Sequence, residues 1–252
     1  MMRTPLQAAA VSGDVEVLRR ELAKGPDIDE YDVIGLTLLH DVCRGPAGSD
    51  RLACFHLLLE AGADPRKSTT SERWSPLLFA AEQAHTELCA ALLASSAQAD
   101  LNLGNTMGLT PLHCACRSRF PGAVECVGLL LSRGAAVNAR DRSGSTPLDY
   151  AAAYRRSRLY PVLLRAGAAL PTPGTRPWER TIGNSVSAYL IPVDQRKAAY
   201  IYLRKVAAAG GYRNYERNHL NALSATFAPK LSHLPPEMVR RVVEYAFDVG
   251  GH

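Results

Sequence analysis

Nowhere in its 252 residues does the chain hold the roughly 20 consecutive apolar residues that a membrane span requires. Its first residues, Met1 to Gly13, contain one early Arg but no unbroken apolar core of signal-peptide length. The expectation is a soluble, intracellular protein; nuclear and cytoplasmic residence are not distinguished. Chemistry-bearing motifs are missing as well. There is no Gly-rich phosphate loop, no His-Glu-x-x-His helix and no Gly-x-Ser-x-Gly turn. The reading is therefore not an enzyme, with no catalytic residues, no cofactor and no metal. Cysteine is absent after Cys126, and the six that occur (Cys43, Cys54, Cys89, Cys114, Cys116, Cys126) sit inside apolar helical patterns rather than at disulfide or metal spacings. They are read as reduced core residues; Cys114, Cys116 and the neighbouring His113 are given packing and capping roles rather than those of a metal or redox site.

Charge divides the chain. From Arg3 to Arg165 the balance is 18 basic against 18 acidic residues, while the region after Leu170 holds 11 basic and 6 acidic, the whole excess of +5. A neutral first part and a basic last part imply two regions.

The first part is repetitive. Tetrads begin at Thr4, Thr37, Ser75, Thr110 and Thr146, at intervals of 33, 38, 35 and 36 residues. The leading hydroxyl is suited to cap free helix amides, and a Pro at the first helical position gives up no hydrogen bond there. A short Ala-rich helix follows, then a second helix with a Leu stripe such as Leu57-Leu58-Leu59 or Leu129-Leu130-Leu131, which needs the next unit to cover it. Gly25, Gly62, Gly134 and Gly167 close the second helices at positions that favour a left-handed backbone; the third unit has Ser96-Ala97 instead. A polar projecting loop or hairpin joins successive units. Insertions at Gly45 to Arg51 and Phe120 to Gly122 fall between the two helices of a unit, where added length costs little.

With Thr110-Pro111-Leu112-His113, Ala61-Gly62-Ala63-Asp64 and Gly134-Ala135-Ala136-Val137-Asn138 in this register, residues 4–170 resemble the ankyrin repeat. The resemblance implies an all-α solenoid of about five helix-turn-helix units, filling a domain over residues 1–170, that acts as a protein-binding scaffold. It implies that His40 and His113 bridge backbone groups of neighbouring units. It implies a partner-binding surface made of first-helix positions (Asp41, Arg44, Phe79, Glu82, Gln83, Arg117, Tyr150, Tyr154) and loop tips (Val33, Ile34, Arg73, Trp74, Met107, Arg140, Arg142). Phe79, Trp74, Tyr150, Tyr154 and Arg117 are the preferred anchors, because aromatic residues and Arg dominate interface energetics. Departures from the pattern are the missing hairpin ahead of the first tetrad, Arg73-Trp74 where Gly is usual, and Asp149 where His is usual.

Residues 171–186 are Pro-rich and stop the array. Residues 187–252 form a basic helical region, with helices expected over 193–209, 212–226 and 238–247. In the last, Met238, Val242, Tyr245 and Ala246 form an apolar stripe that, with Leu234 just ahead of it, either caps the solenoid or docks a partner. Leu234-Pro235-Pro236-Glu237-Met238 looks like the opening of an F-box helix and, more loosely, part of a suppressor-of-cytokine-signalling box, which implies ubiquitin-ligase subunits as partners. The segment is short for an F-box, and the tail lacks the Cys of an elongin-binding element. A third alternative is nucleic acid or an acidic membrane surface held by the basic tail, through residues such as Arg204, Lys205, Arg213 and Arg217 with Tyr212 and Tyr215 among them.

Overall fold

The structure, a computed structural model, describes residues 4–46, 50–95, 101–170 and 205–227. The described residues form helices, turns and loops, with no strand among them. Five helix pairs follow the five tetrads: α1 Pro5–Ser12 and α2 Val15–Leu22; α3 Leu38–Arg44 and α4 Arg51–Glu60; α5 Pro76–Glu82 and α6 Thr86–Ala94; α7 Pro111–Arg117 and α8 Ala123–Ser132; α9 Pro147–Ala153 and α10 Leu159–Arg165. The all-α ankyrin solenoid expected from the sequence is the fold observed.

Capping happens as the tetrad chemistry demands. Thr4 accepts from the Gln7 amide and Thr146 from that of Asp149, and Thr37 and Thr110 form reciprocal boxes with His40 and His113. The helices stack in two rows. First helices pack in the order α1, α3, α5, α7, α9, and second helices in the order α2, α4, α6, α8, α10. Small residues let the first row close up: Ala10, Ala80, Ala81, Ala115 and Ala151 are wholly buried. The Leu stripe meets its cover, with Leu18, Leu58, Leu92, Leu130 and Leu163 at zero exposure. Each such burial contributes about 1.5–3 kcal/mol.

The five units are tied by polar contacts as well. His40 Nδ1 accepts from the Thr37 amide at 3.0 Å, which leaves Nε2 to donate to the Trp74 carbonyl at 3.0 Å. His113 repeats this with Thr110 and the Ser145 carbonyl. In the fifth unit Asp149 only accepts, from the Thr146 amide and hydroxyl, both at 2.8 Å. A carboxylate keeps the box but has no proton to send to a following unit. Arg51, 4% exposed, donates to the carbonyls of Val42 in α3 and Val11 in α1, and His85 pairs with the Gly45 carbonyl at 2.9 Å. These two side chains tie the end of α3 at Gly45 to the neighbouring units.

Successive loops are joined backbone to backbone: Thr70 N to Gly35 O, Thr106 N to Glu72 O and Arg142 N to Met107 O. Gly25, Gly62, Gly134 and Gly167 all have positive φ, between 73° and 96°. Arg73 adopts φ 57°, taking the left-handed position that Gly35, Gly108 and Gly144 fill in the other loops.

Beyond residue 204, a helical turn at 205–208 ends at Gly210 and Gly211, as the sequence indicates, and α11 runs Tyr212–Phe227. α11 packs on α10: Val206 and Tyr212 are buried, and Arg165 donates to Glu216 Oε1 at 2.6 Å. The linker at 171–186 and the docking stripe at Leu234, Met238, Val242 and Tyr245 lie outside the described residues.

Candidate protein-binding face

The face is assembled by three first helices and one loop. Phe79, half-buried on α5, stacks on the Trp74 indole at 4.9 Å between centroids and meets the His40 ring edge-on at 5.8 Å. Trp74 is itself held from the loop side, since its Nε1 donates to Glu72 Oε2 at 2.9 Å and its amide to Thr69 Oγ1 at 2.9 Å. From α7 the Arg117 guanidinium lies 5.5 Å from the Trp74 ring centroid and donates to Glu82 on α5. Burial alone would depress the Arg117 guanidinium, but the Cys114 thiol and the Glu82 carboxylate beside it leave it raised above its ordinary value. At the C-cap of α9, Tyr154 is half-buried and lies parallel to Tyr150 at 6.1 Å. The result is a run of aromatic and guanidinium groups whose rotamers are already held by neighbours, which lowers the entropy lost on binding.

Sequence reasoning placed Phe79, Glu82, Gln83, Arg117 and Tyr154 on this face, and the structure brings Phe79, Glu82 and Arg117 into one cluster, with Gln83 half-buried at the end of α5. Arg44 is half-buried on α3 and pairs with Asp41 at 3.7 Å. Met107 at 54% exposure, Arg140 and Arg142 are on the surface of the third and fourth loops. The Arg140 guanidinium turns back to donate to the Gly144 carbonyl at 2.8 Å.

Three expected surface residues are buried. Asp41 is 3% exposed, one turn into α3. Trp74 is 8% exposed, because the Arg73 backbone turns it inward onto Phe79. Tyr150 is 5% exposed, and its hydroxyl donates to Asp141 Oδ2 at 2.8 Å. Burial, reinforced by that carboxylate, pushes the phenol well above its ordinary range. Tyr150 is thus part of the loop's support rather than an anchor offered to a partner.

Asp141 also accepts from the amides of Ser143 and Ser145 through Oδ1. Asp32 and Asn105 repeat the arrangement in the first and third loops, each accepting from two loop amides. These residues stand five positions ahead of Thr37, Thr110 and Thr146, a spacing visible in the sequence that motif reading passed over. The cysteines behave as core residues: all six are buried, and burial pushes Cys43 and Cys114 up to about 12.

A profile of ankyrin repeats in three copies matches residues 39–141. Inversin from Homo sapiens is 31% identical over 179 residues, covering 68% of this chain and 16% of inversin. Ankyrin repeat and SOCS box protein 3 from Bos taurus is 31% identical over 179 residues, 58% of this chain and 33% of that protein. Transient receptor potential cation channel subfamily A member 1 from Homo sapiens is 33% identical over 139 residues, 54% and 11% respectively. The chain therefore spans about a third or less of each of these relatives.

Proposed function

This chain is an ankyrin-repeat protein, and we propose that it holds a protein partner on the face built from Phe79, Glu82, Gln83, Arg117 and Tyr154, with Arg44 and the loop residues Met107, Arg140 and Arg142 at its margin. The observation that carries this reading is the Trp74–Phe79–Arg117 cluster, in which a braced indole, a phenyl ring and a cation share one partly exposed surface. Such groups supply large contact area at small ordering cost. The role is binding rather than catalysis.

A test is affinity capture with the full chain and with a Phe79→Ala/Arg117→Ala variant that keeps its helical circular dichroism. Partners lost with the variant support the face as the binding site; an unchanged set of partners rejects it.

A second reading, a receptor subunit that presents a bound protein to a ubiquitin ligase, is supported by the Leu234-Pro235-Pro236-Glu237-Met238 segment and by likeness to a relative whose name includes a SOCS box. A chain ending at Leu231 discriminates: ligase subunits captured by the full chain and absent with the shorter one support it, and equal capture rejects it.

A further inference from the structure

The two most exposed large apolar side chains among the described residues, Val33 and Ile34, are neighbours on the first loop, with Tyr31 beside them, ahead of Met107 at 54% and Leu103 at 43% on the third loop. Val33 is 74% exposed, Ile34 60% and Tyr31 39%. They are held in place rather than left loose: Asp32 Oδ1 accepts from the amides of Ile34 and Leu36, and Gly35 closes the turn at φ 79°. Tyr31 donates its hydroxyl to the Ser68 carbonyl at 3.1 Å and carries the Lys67 ammonium 5.1 Å from its ring centroid. A rigid turn that presents two aliphatic side chains to water costs solvation and has no structural return within the fold.

Beside this turn lies a cleft of about 730 Å³, bounded by the start of α1, the end of α2 and the loop itself. Leu6, Pro26, Val33, Ile34 and Leu38 give it an apolar lining, and its rim carries Glu21, Asp27, Glu30 and Asp32 against a single base, Lys24. The imbalance extends beyond the cleft. Residues 4–64 hold 5 Lys and Arg against 11 Asp and Glu, whereas residues 65–170 hold 12 against 7. The first two units thus form an acidic end on an otherwise basic array, and such a field favours cationic partners during encounter and docking.

We propose that this cleft binds a basic peptide segment of a partner protein, inserting a large apolar side chain against Val33, Ile34 and Leu6 while its Lys or Arg residues face Glu30 and Asp27. The surface is distinct in residues from the Phe79–Arg117 face, so either stands without the other. Ile34 and Val33 supply the apolar contact, and the carboxylates select for positive charge and against acidic segments.

The test is selection of a random 12-residue peptide display library on the full chain, followed by affinity measurement of the enriched peptides by fluorescence anisotropy. Enriched sequences combine Lys or Arg with Leu, Ile, Phe or Trp. Val33→Ser/Ile34→Ser weakens their binding at least tenfold, and Asp27→Asn/Glu30→Gln weakens it several-fold while flattening its salt dependence. Phe79→Ala/Arg117→Ala leaves it unchanged, which separates this site from the proposed partner face. All the substituted cleft residues are on the surface or partly exposed, and an unchanged melting temperature confirms that each variant is folded. Failure to enrich any peptide, enrichment of acidic or purely polar peptides, or binding insensitive to Val33→Ser/Ile34→Ser overturns the proposal.

Discussion

The Arg117 guanidinium rests over the Trp74 indole, 5.5 Å from its centroid, and through Glu82 it joins the third and fourth units across their first helices. Both members of the ion pair have side chains 26% exposed, so solvent screens part of their attraction. A double-mutant cycle on Arg117→Ala and Glu82→Ala is expected to give a coupling of about 1 kcal/mol in chemical denaturation. In a Trp178→Phe background, Arg117→Ala also shifts the Trp74 emission. Additive stabilities with an unchanged spectrum would contradict the geometry.

Stability depends on pH through the bridging histidines. Burial holds the His40 imidazole down at about 4, and His113 is lowered by the same cause. Unfolding frees these rings to take up protons near their ordinary pKa. The unfolded state therefore binds more protons between about pH 4 and 6.5, and stability falls as pH drops through that window. Burial raises the Asp149 carboxyl, which gives a smaller trend of opposite sign at the acid end. Thermal melts are expected to show a lower midpoint at pH 5 than at pH 7.5, with a shallower dependence in His40→Asn/His113→Asn.

Tyr150 and Asp141 form a second pair whose loss is felt in the fold. Tyr150→Phe removes a hydrogen bond to a carboxylate and is expected to cost about 1.5–3 kcal/mol. Asp141→Ala costs more, because two loop amides lose their acceptor together. Since Tyr150 is buried, Tyr150→Phe leaves affinity for a partner captured through Phe79 unchanged. Denaturation and binding measured on the same variant check both statements.

Glycines with similar backbone angles differ in what surrounds them. A Cβ at Gly134, φ 92°, meets nothing within 4 Å, so Gly134→Ala carries only the left-handed penalty of about 1 kcal/mol. A Cβ at Gly108, φ 79°, lies 3.0 Å from the Arg142 amide nitrogen, which donates to the Met107 carbonyl. Backbone cannot swing aside as a side chain does. Gly108→Ala is expected to cost roughly 2–3 kcal/mol and to speed amide exchange at Arg142, which would be read by hydrogen exchange.

Much of this was legible beforehand. The tetrads, the Ala-rich first helices and the Leu stripes give the five helix pairs and the starts of the first helices, because capping, close packing and left-handed exits depend on residue type at fixed spacing. The helix at 212–226 and the double Gly before it were equally readable. Exposure was not. Asp41 and Tyr150 occupy positions that repeat geometry assigns to the surface, yet both are buried, Tyr150 between Asp141 and the His113 ring of the preceding unit. Arg73 resembles a loop tip, but its left-handed backbone sends Trp74 inward.

What the sequence determined by itself is the repeat, since every unit carries its own caps, turns and apolar stripe within about 35 residues. What only the tertiary structure decided is which side chains remain available. Burial at Trp74 and Tyr150 and the Arg51 contacts to two units depend on the approach of residues far apart in the chain. A local pattern specifies the helix that carries a side chain; the surface that side chain meets is supplied by the next unit in the stack.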